Sequence, residues 1–568
     1  MERGLQAGHC SPSFDGLGGF RRSLAIQRSS TGRGGDRRLC VVAVARPMGA
    51  STASVGEKRG PKVVVVGGGW AGFGAARHLS QEGYDVTLLD AAPNPGGLSA
   101  GWQTEQGRTV EAGMKGFWYQ YHNIFALARE LDIDWPFTEF TRSGFWSPEG
   151  LSVEGPVFSQ LPKLPTLLGQ FVHTTRLFRR VPLADQLTMF NMLYPVVDYD
   201  STQKVYEKYD KMTARELFRQ FGISERLYNE FLKPLLLVGL FAPPEEISAA
   251  AMIGTMYFYA LAHQQDFDIC WCKGSVSERL FQPMVESIRA AGGVVQGSRV
   301  VVGVDIDSAG TVEGVVVKDT TTDRESRIEA DAVILAISIK GMQKLISMNS
   351  ILATRPEFIK IMNLKGIDVI ATRLWFDKLV PTQFPSNVLS GFEQGVGGTF
   401  FNLNVLQDEY KDSEGTVIAA DFYHSNTLMP RTDADVVKLV KSCLASCEPG
   451  FESANVIDSK VLRFYGAVTH FSPGSYESRP SQKTSFDNLY LAGDWVRDVP
   501  HGANGLSQER AYVTGLLAAN MVIDKLGAGR PATILDVEPD EPHIAALKAV
   551  NRGLKSQLEG MGLTSPLI

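Results

Sequence analysis

The sequence predicts an α/β fold that begins with a strand, a helix and a second strand. The β-branched run Val63–Val66 is too short for a helix and is typical of a strand buried on both faces. The alanine-rich stretch Gly74–Gln81 then predicts a helix, and Asp85–Leu89 predicts the next strand. Short apolar strands that alternate with helices favour a parallel sheet.

A glycine pattern follows the first strand, with Gly67, Gly69 and Gly72 in the order GxGxxG. In a Rossmann-like unit the first glycine turns the chain, the second lets the backbone approach a pyrophosphate, and the third lets helix and strand pack closely. The segment that starts at Trp70 and Ala71 then offers free amides and a partial positive charge to phosphates. This order predicts a dinucleotide site.

Asp90 ends the second strand, 23 positions after Gly67. A carboxylate at this distance is expected to bind ribose hydroxyls. The glycines and the acid do not distinguish a flavin dinucleotide from a nicotinamide dinucleotide, and a tight turn without a ligand is the alternative to both. The choice depends on segments further along the chain.

Further glycine motifs lie beyond this unit and near the far end of the chain. Gly96-Gly97 closes the loop after the acid, and Val110–Gly113 opens a second segment. Near the far end, the stretch Asn488–Trp495 predicts a strand that ends at Gly493 and is followed by Asp494, and Glu509–Ala519 has the pattern ExAxxTGxxAA. Together these motifs resemble the superfamily of flavin-containing amine oxidases and carotenoid desaturases.

The resemblance implies FAD as the cofactor. Leu98 departs from the pattern, since many relatives have lysine or arginine there. The cofactor-binding residues that the resemblance adds to those above are Gly96, Gly97, Leu98, Gly113, Met114, Val300, Gly493, Asp494, Glu509 and Ala511.

The implied fold is a Rossmann-like FAD-binding domain of the glutathione-reductase type, built from discontinuous segments, with an inserted α+β substrate domain. We expect the FAD-binding domain to comprise residues 59–150, 266–345 and 471–527. The substrate domain would then comprise a helical, membrane-facing part, 151–265, and a sheet part, 346–470, before a C-terminal tail, 528–568.

Three segments favour the desaturase branch: the aromatic run before Asn123-Ile124, the stretch Met212–Phe231, and the segment from Lys273 to Pro283. Arg510 adds to this resemblance. The branch implies desaturation of a carotenoid or related polyisoprenoid by hydride transfer to the flavin, with a quinone as a candidate re-oxidant. An amine oxidase, a flavin-dependent carotenoid isomerase and a non-catalytic FAD- and pigment-binding protein remain alternatives.

Two residues are candidates for proton transfer, His501 in the sequence HGAN and Lys115, because both fall in or beside family motifs. A structural role is the alternative for each. No metal site is expected, since the Cys270-Trp-Cys272 pair lacks a second cluster to complete four ligands. Cys443 and Cys447 are expected to be buried thiols, as are Cys270 and Cys272.

The net charge of −6 argues against nucleic-acid binding. Residues 1–58 are rich in arginine and serine and poor in acids, which is typical of an organelle transit peptide and favours a plastid over a mitochondrion. The segment Pro156–Val197 combines apolar and basic side chains. Such a segment either contacts a membrane interface, which suits a lipophilic substrate, or covers the substrate pocket.

Overall fold

The computed structural model describes residues 60–199, 203–499 and 505–561. The described residues belong to one compact unit, Lys58–Ile568. The expected transit peptide and His501 lie outside the described residues. The domain boundaries given above stay a prediction.

The strands of the described ranges form five sheets. In chain order they are β1 (Lys62–Val66), β2 (Asp85–Leu89), β3 (Gly101–Gln103), β4 (Thr109–Glu111), β5 (Gly116–Trp118), β6 (Ser143–Ser147), β7 (Gly150–Gly155), β8 (Ile269–Trp271), β9 (Val294–Gln296), β10 (Arg299–Ile306), β11 (Val312–Asp319), β12 (Glu325–Glu329), β13 (Ala332–Leu335), β14 (Gly366–Phe376), β15 (Ser386–Leu389), β16 (Gly397–Asn402), β17 (Val417–Tyr423), β18 (Val456–Thr469) and β19 (Leu489–Leu491).

The α-helices connect and cover these sheets. In chain order they are α1 (Trp70–Gln81), α2 (His122–Glu130), α3 (Leu168–Thr174), α4 (Leu183–Leu187), α5 (Leu193–Asp198), α6 (Gln203–Asp210), α7 (Ala214–Gln220), α8 (Glu225–Leu227), α9 (Lys233–Gly239), α10 (Ala249–Met256), α11 (Gln282–Ala290), α12 (Ile339–Met348), α13 (Pro356–Ile361), α14 (Leu403–Leu406), α15 (Asp433–Cys447), α16 (Ser475–Ser478), α17 (Gln508–Leu526) and α18 (Pro542–Gly560).

The first sheet is parallel throughout and has the order β19-β13-β1-β2-β9. Val63 and Val65 pack into the core on one face of β1, while Val64 and Val66 pack into the core on the other face. This double burial explains why the strand is a continuous β-branched run instead of an alternating one. The predicted parallel sheet is confirmed, and it brings together segments that are hundreds of residues apart.

Helix α1 begins at Trp70, four residues before the predicted start. It crosses α17 at a point where each helix has a glycine, Gly74 in α1 and Gly515 in α17. A Cβ on Gly74 would lie 2.9 Å from the ring of Tyr512, and one on Gly515 would lie 2.0 Å from the carbonyl oxygen of Ala71. These glycines therefore let the two helices approach closely over the sheet.

The apolar stretch Val294–Val304 predicts one continuous strand, and this prediction is wrong. The chain breaks at Gly297 and Ser298, and Ser298 has a φ of 57°. β9 joins the parallel sheet, whereas β10 pairs with β11 in a separate antiparallel sheet. A Cβ at Gly297 would lie 2.1 Å from the carbonyl oxygen of Pro93, so the close approach of this loop imposes the break.

A seven-stranded sheet with the order β18-β14-β17-β16-β15-β6-β7 forms the second layer. Its neighbours are antiparallel except for β15 and β6. The short helices between α3 and α10 precede most of its strands in the chain, which is the expected α+β insertion. The fold class is therefore confirmed.

The four cysteines of the described ranges, Cys270, Cys272, Cys443 and Cys447, are buried free thiols, as expected. Burial raises the pKa of the Cys270 and Cys443 thiols to about 12. Among the helices that the structure describes, no helix combines the length and the apolar character needed to cross a bilayer.

Candidate functional site

A cavity of about 770 Å³ lies where the carboxyl ends of the parallel strands meet the seven-stranded sheet. Its volume is within the range of small-molecule sites, roughly 300–1,000 Å³. In open parallel sheets ligands bind at this edge of the strands. The cavity therefore joins a nucleotide-binding edge to a second chamber.

Most of the predicted cofactor residues line this cavity. They come from distant parts of the chain, several of which the parallel sheet brings to one edge. These residues are Gly67, Gly69, Trp70, Ala71, Asp90, Gly96, Gly97, Leu98, Met114, Val300, Gly493, Asp494 and Ala511, together with Lys115.

The start of α1 presents bare backbone to the cavity. Gly69 is the N-cap of the helix and makes no side-chain capping bond, and the first turn carries no acidic residue. A Cβ on Gly69 would meet only the Cα of Gly97, at 3.9 Å, so the space beside it is open. Free amides at a helix N-terminus bind anionic groups such as phosphates.

Asp90 holds the glycine loop in place. Its carboxylate accepts hydrogen bonds from the backbone amides of Gly68, at 2.6 Å, and Ala92, at 2.7 Å. Burial raises the pKa of this carboxyl group, while the hydrogen bonds from the two backbone amides oppose the shift. A carboxylate has about four acceptor positions, so Asp90 has acceptor capacity left for ribose hydroxyls.

Three predicted cofactor residues lie behind the cavity lining. Gly72 packs against the glycine loop, where a Cβ would lie 1.7 Å from the carbonyl oxygen of Gly67. Gly113 packs against the carboxylate of Asp421. Glu509 is fully buried, and its carboxylate accepts hydrogen bonds from the start of α2. Gly72 and Gly113 therefore support the site by allowing close packing of the backbone, and Glu509 supports it by capping α2.

Asp494 lies at the far side of the nucleotide edge beside two buried arginines. Arg510 donates to the carbonyl oxygen of Asp494 at 3.1 Å and to that of Val496 at 2.8 Å. Arg479 donates to the carbonyl oxygens of Trp495 and Val496. These bonds fix the turn after β19. Burial raises the pKa of the Asp494 carboxyl group.

The second chamber is formed by aromatic and aliphatic side chains, most of which, apart from the aromatic run before Asn123, the sequence motifs did not indicate. Tyr121 and Tyr259 hydrogen-bond to each other there at 2.9 Å. The apolar and aromatic residues that line this part include Trp118, Phe145, Leu235, Leu236, Val238, Phe241, Met256, Phe267, Ile269, Trp271, Phe401 and Tyr423. They come from α9, α10, the β5–β8 pair, the seven-stranded sheet and the loops between them.

Lys115 is placed in the wall of this chamber, in the loop between β4 and β5. Its Nζ donates to the carbonyl oxygens of Ala112 at 3.0 Å and Gly113 at 2.8 Å. Burial lowers the pKa of Lys115, while the charges of Asp421 and Glu111 raise it. Lys115 therefore places an amine in the cavity wall between opposing effects of burial and nearby carboxylates.

The residues at the nucleotide edge fit a dinucleotide cofactor. The bare amides of α1 suit a pyrophosphate, Asp90 suits ribose hydroxyls, and Gly69 leaves room that a side chain would fill. The chamber next to this edge leaves space for a second molecule beside the cofactor. This arrangement is that of a cofactor-dependent enzyme with its substrate chamber adjoining the cofactor site.

Comparison with known proteins agrees with this geometry. A sequence profile described as flavin containing amine oxidoreductase matches residues 70–523. The chain is 24% identical over 441 residues to the 15-cis-phytoene desaturase, chloroplastic/chromoplastic, of Arabidopsis thaliana, an alignment that covers 77% of this chain and 76% of the relative. It is 24% identical over 486 residues to the probable zeta-carotene desaturase of Synechococcus elongatus, covering 82% and 98%.

Solved structures share the fold at low identity. Cyclohexylamine oxidase from Brevibacterium oxydans aligns with a TM-score of 0.59 and 14% identity over 82% of this chain and 100% of that one. Reduced UDP-galactopyranose mutase aligns with a TM-score of 0.58 and 14% identity over 86% and 99%. These similarities support the fold and leave the substrate open.

The profile match spans most of the chain, from the first residue of α1 to residue 523 within α17. The expected resemblance and the prediction of an oxidoreductase are therefore confirmed. The chain belongs to the flavin-containing amine oxidoreductase family.

Proposed function

We propose that the chain is an FAD-dependent oxidoreductase that desaturates a carotenoid or a related polyisoprenoid. The observation that carries this proposal is the aromatic and aliphatic chamber that continues from the nucleotide edge within one cavity. A long polyene has no groups that need hydrogen-bond partners, so an apolar chamber suits it. The desaturase relatives support the same reaction class.

The charges in the cavity favour this substrate over an amine. The carboxylates among the lining residues are Asp90 and Asp494, and both belong to the nucleotide edge. A protonated amine that loses its water needs a compensating negative charge or hydrogen-bond acceptors. The described lining supplies no such carboxylate outside the nucleotide edge.

The chain's own residues would perform three tasks in this reaction. The amides of α1 and Asp90 would hold the cofactor, and the apolar chamber would orient the substrate and exclude water. When bound, the flavin would supply the acceptor for a hydride from an allylic carbon. Lys115 would take up the proton that leaves the neighbouring carbon. The proposed role of His501 stays a prediction that the described residues do not test.

The decisive experiment is an anaerobic absorbance measurement on the chain from residue 59, mixed with liposomes that contain candidate carotenes. Bleaching of the oxidised flavin bands together with a red shift of the polyene spectrum supports desaturation. A change of polyene geometry without flavin bleaching identifies an isomerase. Carotene binding without either change identifies a carrier, and peroxide release with amines in air identifies an amine oxidase.

Three further proposals concern the surroundings of the enzyme. The arginine-rich leader, together with the chloroplastic names of plant relatives, supports a plastid location. The exposed apolar side chains Leu168, Val172, Leu183 and Leu187 support peripheral contact of α3 and α4 with a membrane, which flotation with liposomes tests. A quinone is proposed as the re-oxidant, because it shares the bilayer with the substrate.

A further inference from the structure

Four charged residues form a buried cluster behind the cavity wall. Glu111 ends β4, Lys115 follows it in the next loop, Arg373 lies on β14 and Asp421 lies on β17. Glu111, Arg373 and Asp421 are at most 5% exposed. Lys115 is the member of the cluster that lines the cavity. The charges of Asp421 and Glu111 thus act on the amine of Lys115, and Arg373 acts on both carboxyl groups.

Asp421 is hydrogen-bonded to the loop that carries Lys115. Its Oδ2 accepts a hydrogen bond from the backbone amide of Met114 at 3.1 Å. Gly113 has a φ of +93°, and a Cβ there would lie 2.9 Å from the same oxygen. Only glycine combines this conformation with this close approach. The loop is therefore shaped to receive the Asp421 carboxylate.

One carboxylate oxygen of Asp421 has no hydrogen-bond partner. Oδ1 is buried, and no donor among the described residues reaches it. An unpartnered buried acceptor costs about 1–3 kcal/mol, so its presence at a cavity wall needs a reason. Burial raises the pKa of this carboxyl group to about 6, and the charges of Lys115 and Arg373 oppose the rise. Asp421 is thus an anion at neutral pH.

The hydrogen bonds of Lys115 leave its lone pair available. A neutral amine has two N–H groups and one lone pair, and both N–H groups are accounted for by the carbonyl oxygens of Ala112 and Gly113. An ammonium group formed by proton uptake is stabilised by the nearby charges of Asp421 and Glu111. Lys115 is therefore arranged to accept one proton from the cavity.

We propose that Asp421 is a positioning residue that prepares Lys115 as the proton acceptor of the chamber; this inference rests on the proposed function. One substrate carbon gives up a hydride with its electron pair to the flavin. The neighbouring carbon gives up a proton to the Lys115 lone pair, and the electron pair of that C–H bond becomes the new π bond. The substrate loses two electrons, the flavin gains them, and Lys115 later releases the proton.

The first test measures the pKa of Lys115 without any substrate. The FAD-loaded protein is labelled with trace acetic anhydride at a series of pH values, and acetylation of the Lys115 peptide is quantified by mass spectrometry. In the wild type we expect a pKa below the ordinary 10.5. In Asp421→Asn we expect it to fall further, by about one unit, because the ammonium loses a compensating charge.

The matched control is Asp377→Asn, which removes an exposed carboxylate just beyond the end of β14. This variant should leave the Lys115 pKa unchanged. A wild-type pKa at or above 10.5 overturns the proposal even if the Asp421 variant does not fold. An unchanged Lys115 pKa in a folded Asp421→Asn protein also overturns it. Neither outcome depends on whether the enzyme is a desaturase.

The second test measures flavin reduction by the carotene substrate as a function of pH. Asp421→Asn should move the acidic limb of the profile to lower pH by the same amount as the labelled pKa, whereas a merely structural defect would lower the rate equally at every pH. Lys115→Arg carries a fixed positive charge and cannot accept a proton, so reduction should fall at least about a hundredfold. A Lys115→Arg enzyme with the wild-type rate contradicts the proposal.

Discussion

Hydrogen bonds between Glu509 and Asn123 join α17 to α2. The Glu509 carboxylate accepts from the backbone amide of Asn123 at 2.8 Å and from its side-chain amide at 2.7 Å. It also accepts from the backbone amide of Ile124 at 2.9 Å. Glu509 therefore caps α2 from a distant part of the chain, beside the Tyr121 wall of the chamber.

This contact predicts a pH-dependent stability. Burial raises the pKa of Glu509 to about 7, although the bonds from Asn123 and Ile124 oppose the rise. Between the ordinary pKa of 4.5 and about 7 the folded protein binds more protons than the unfolded chain, so this residue's contribution falls as pH rises. The Glu509→Gln variant does not titrate there. Its loss in free energy of unfolding, measured by urea denaturation, should shrink from pH 5 to pH 8.

A trend in the same direction, in a higher pH window, is expected at His263. Burial lowers the pKa of its imidazole, but the hydrogen bond and charge of Asp266 and the carbonyl oxygen of Pro539 outweigh burial and raise it to about 9. The resulting stabilisation, at most about 3 kcal/mol, is complete below the ordinary pKa of 6.5 and is lost as pH rises through 9. In His263→Gln the free energy of unfolding should no longer show this pH dependence. A wild-type minus variant difference that stays constant from pH 6 to pH 9.5 contradicts the prediction.

Contacts of the C-terminal tail with the segments around the cavity predict that the tail has a structural role there. Leu535 exchanges two hydrogen bonds with the Asn123 side chain, each 2.8 Å long. The Pro539 carbonyl accepts from His263 at 2.8 Å. These contacts tie residues 535–541 to the segments that carry Tyr121 and Tyr259, which share a hydrogen bond inside the chamber. The tail therefore straps two walls of the chamber together.

Two truncations separate this strap from α18. A chain that ends at Gly529 lacks the strap and should lose substrate-analogue affinity by at least about tenfold, because each lost hydrogen bond contributes about 1 kcal/mol. A chain that ends at Glu541 keeps the strap and should retain that affinity. Fluorescence quenching by a bound polyene measures both. Equal losses in the two chains would assign the effect to α18 instead.

The nucleotide edge was predictable from the sequence because its chemistry depends on backbone geometry. Gly67 and Gly69 follow a strand at fixed spacing, and Asp90 follows the next strand, so local order places them at one sheet edge. Asp421 and Tyr259 lie in stretches without a local motif. Pairing of β17 with its neighbours brings Asp421 behind the cavity wall, and packing of the turn after α10 brings Tyr259 to the cavity. Single-sequence periodicity does not encode such long-range contacts. The break at Ser298 was missed for the same reason.

Two glycines of one motif should respond differently to alanine. A Cβ on Gly72 would lie 1.7 Å from the Gly67 carbonyl oxygen, so Gly72→Ala must shift the backbone and should destabilise the protein without cofactor by about 1–3 kcal/mol. A Cβ on Gly69 would meet only the Gly97 Cα at 3.9 Å. Gly69→Ala should therefore change that stability by less than about 1 kcal/mol, since its φ of −96° suits alanine.

The same two variants should also differ in their affinity for FAD. In Gly69→Ala the methyl group occupies space that the cofactor backbone contact requires, so the dissociation constant for FAD should rise by at least about tenfold. The measurement is thermal unfolding of the cofactor-free protein together with fluorescence titration of FAD. If Gly69→Ala binds FAD as tightly as the wild type, the pyrophosphate does not pass over this glycine, and the position of the cofactor in the cavity must be reassigned.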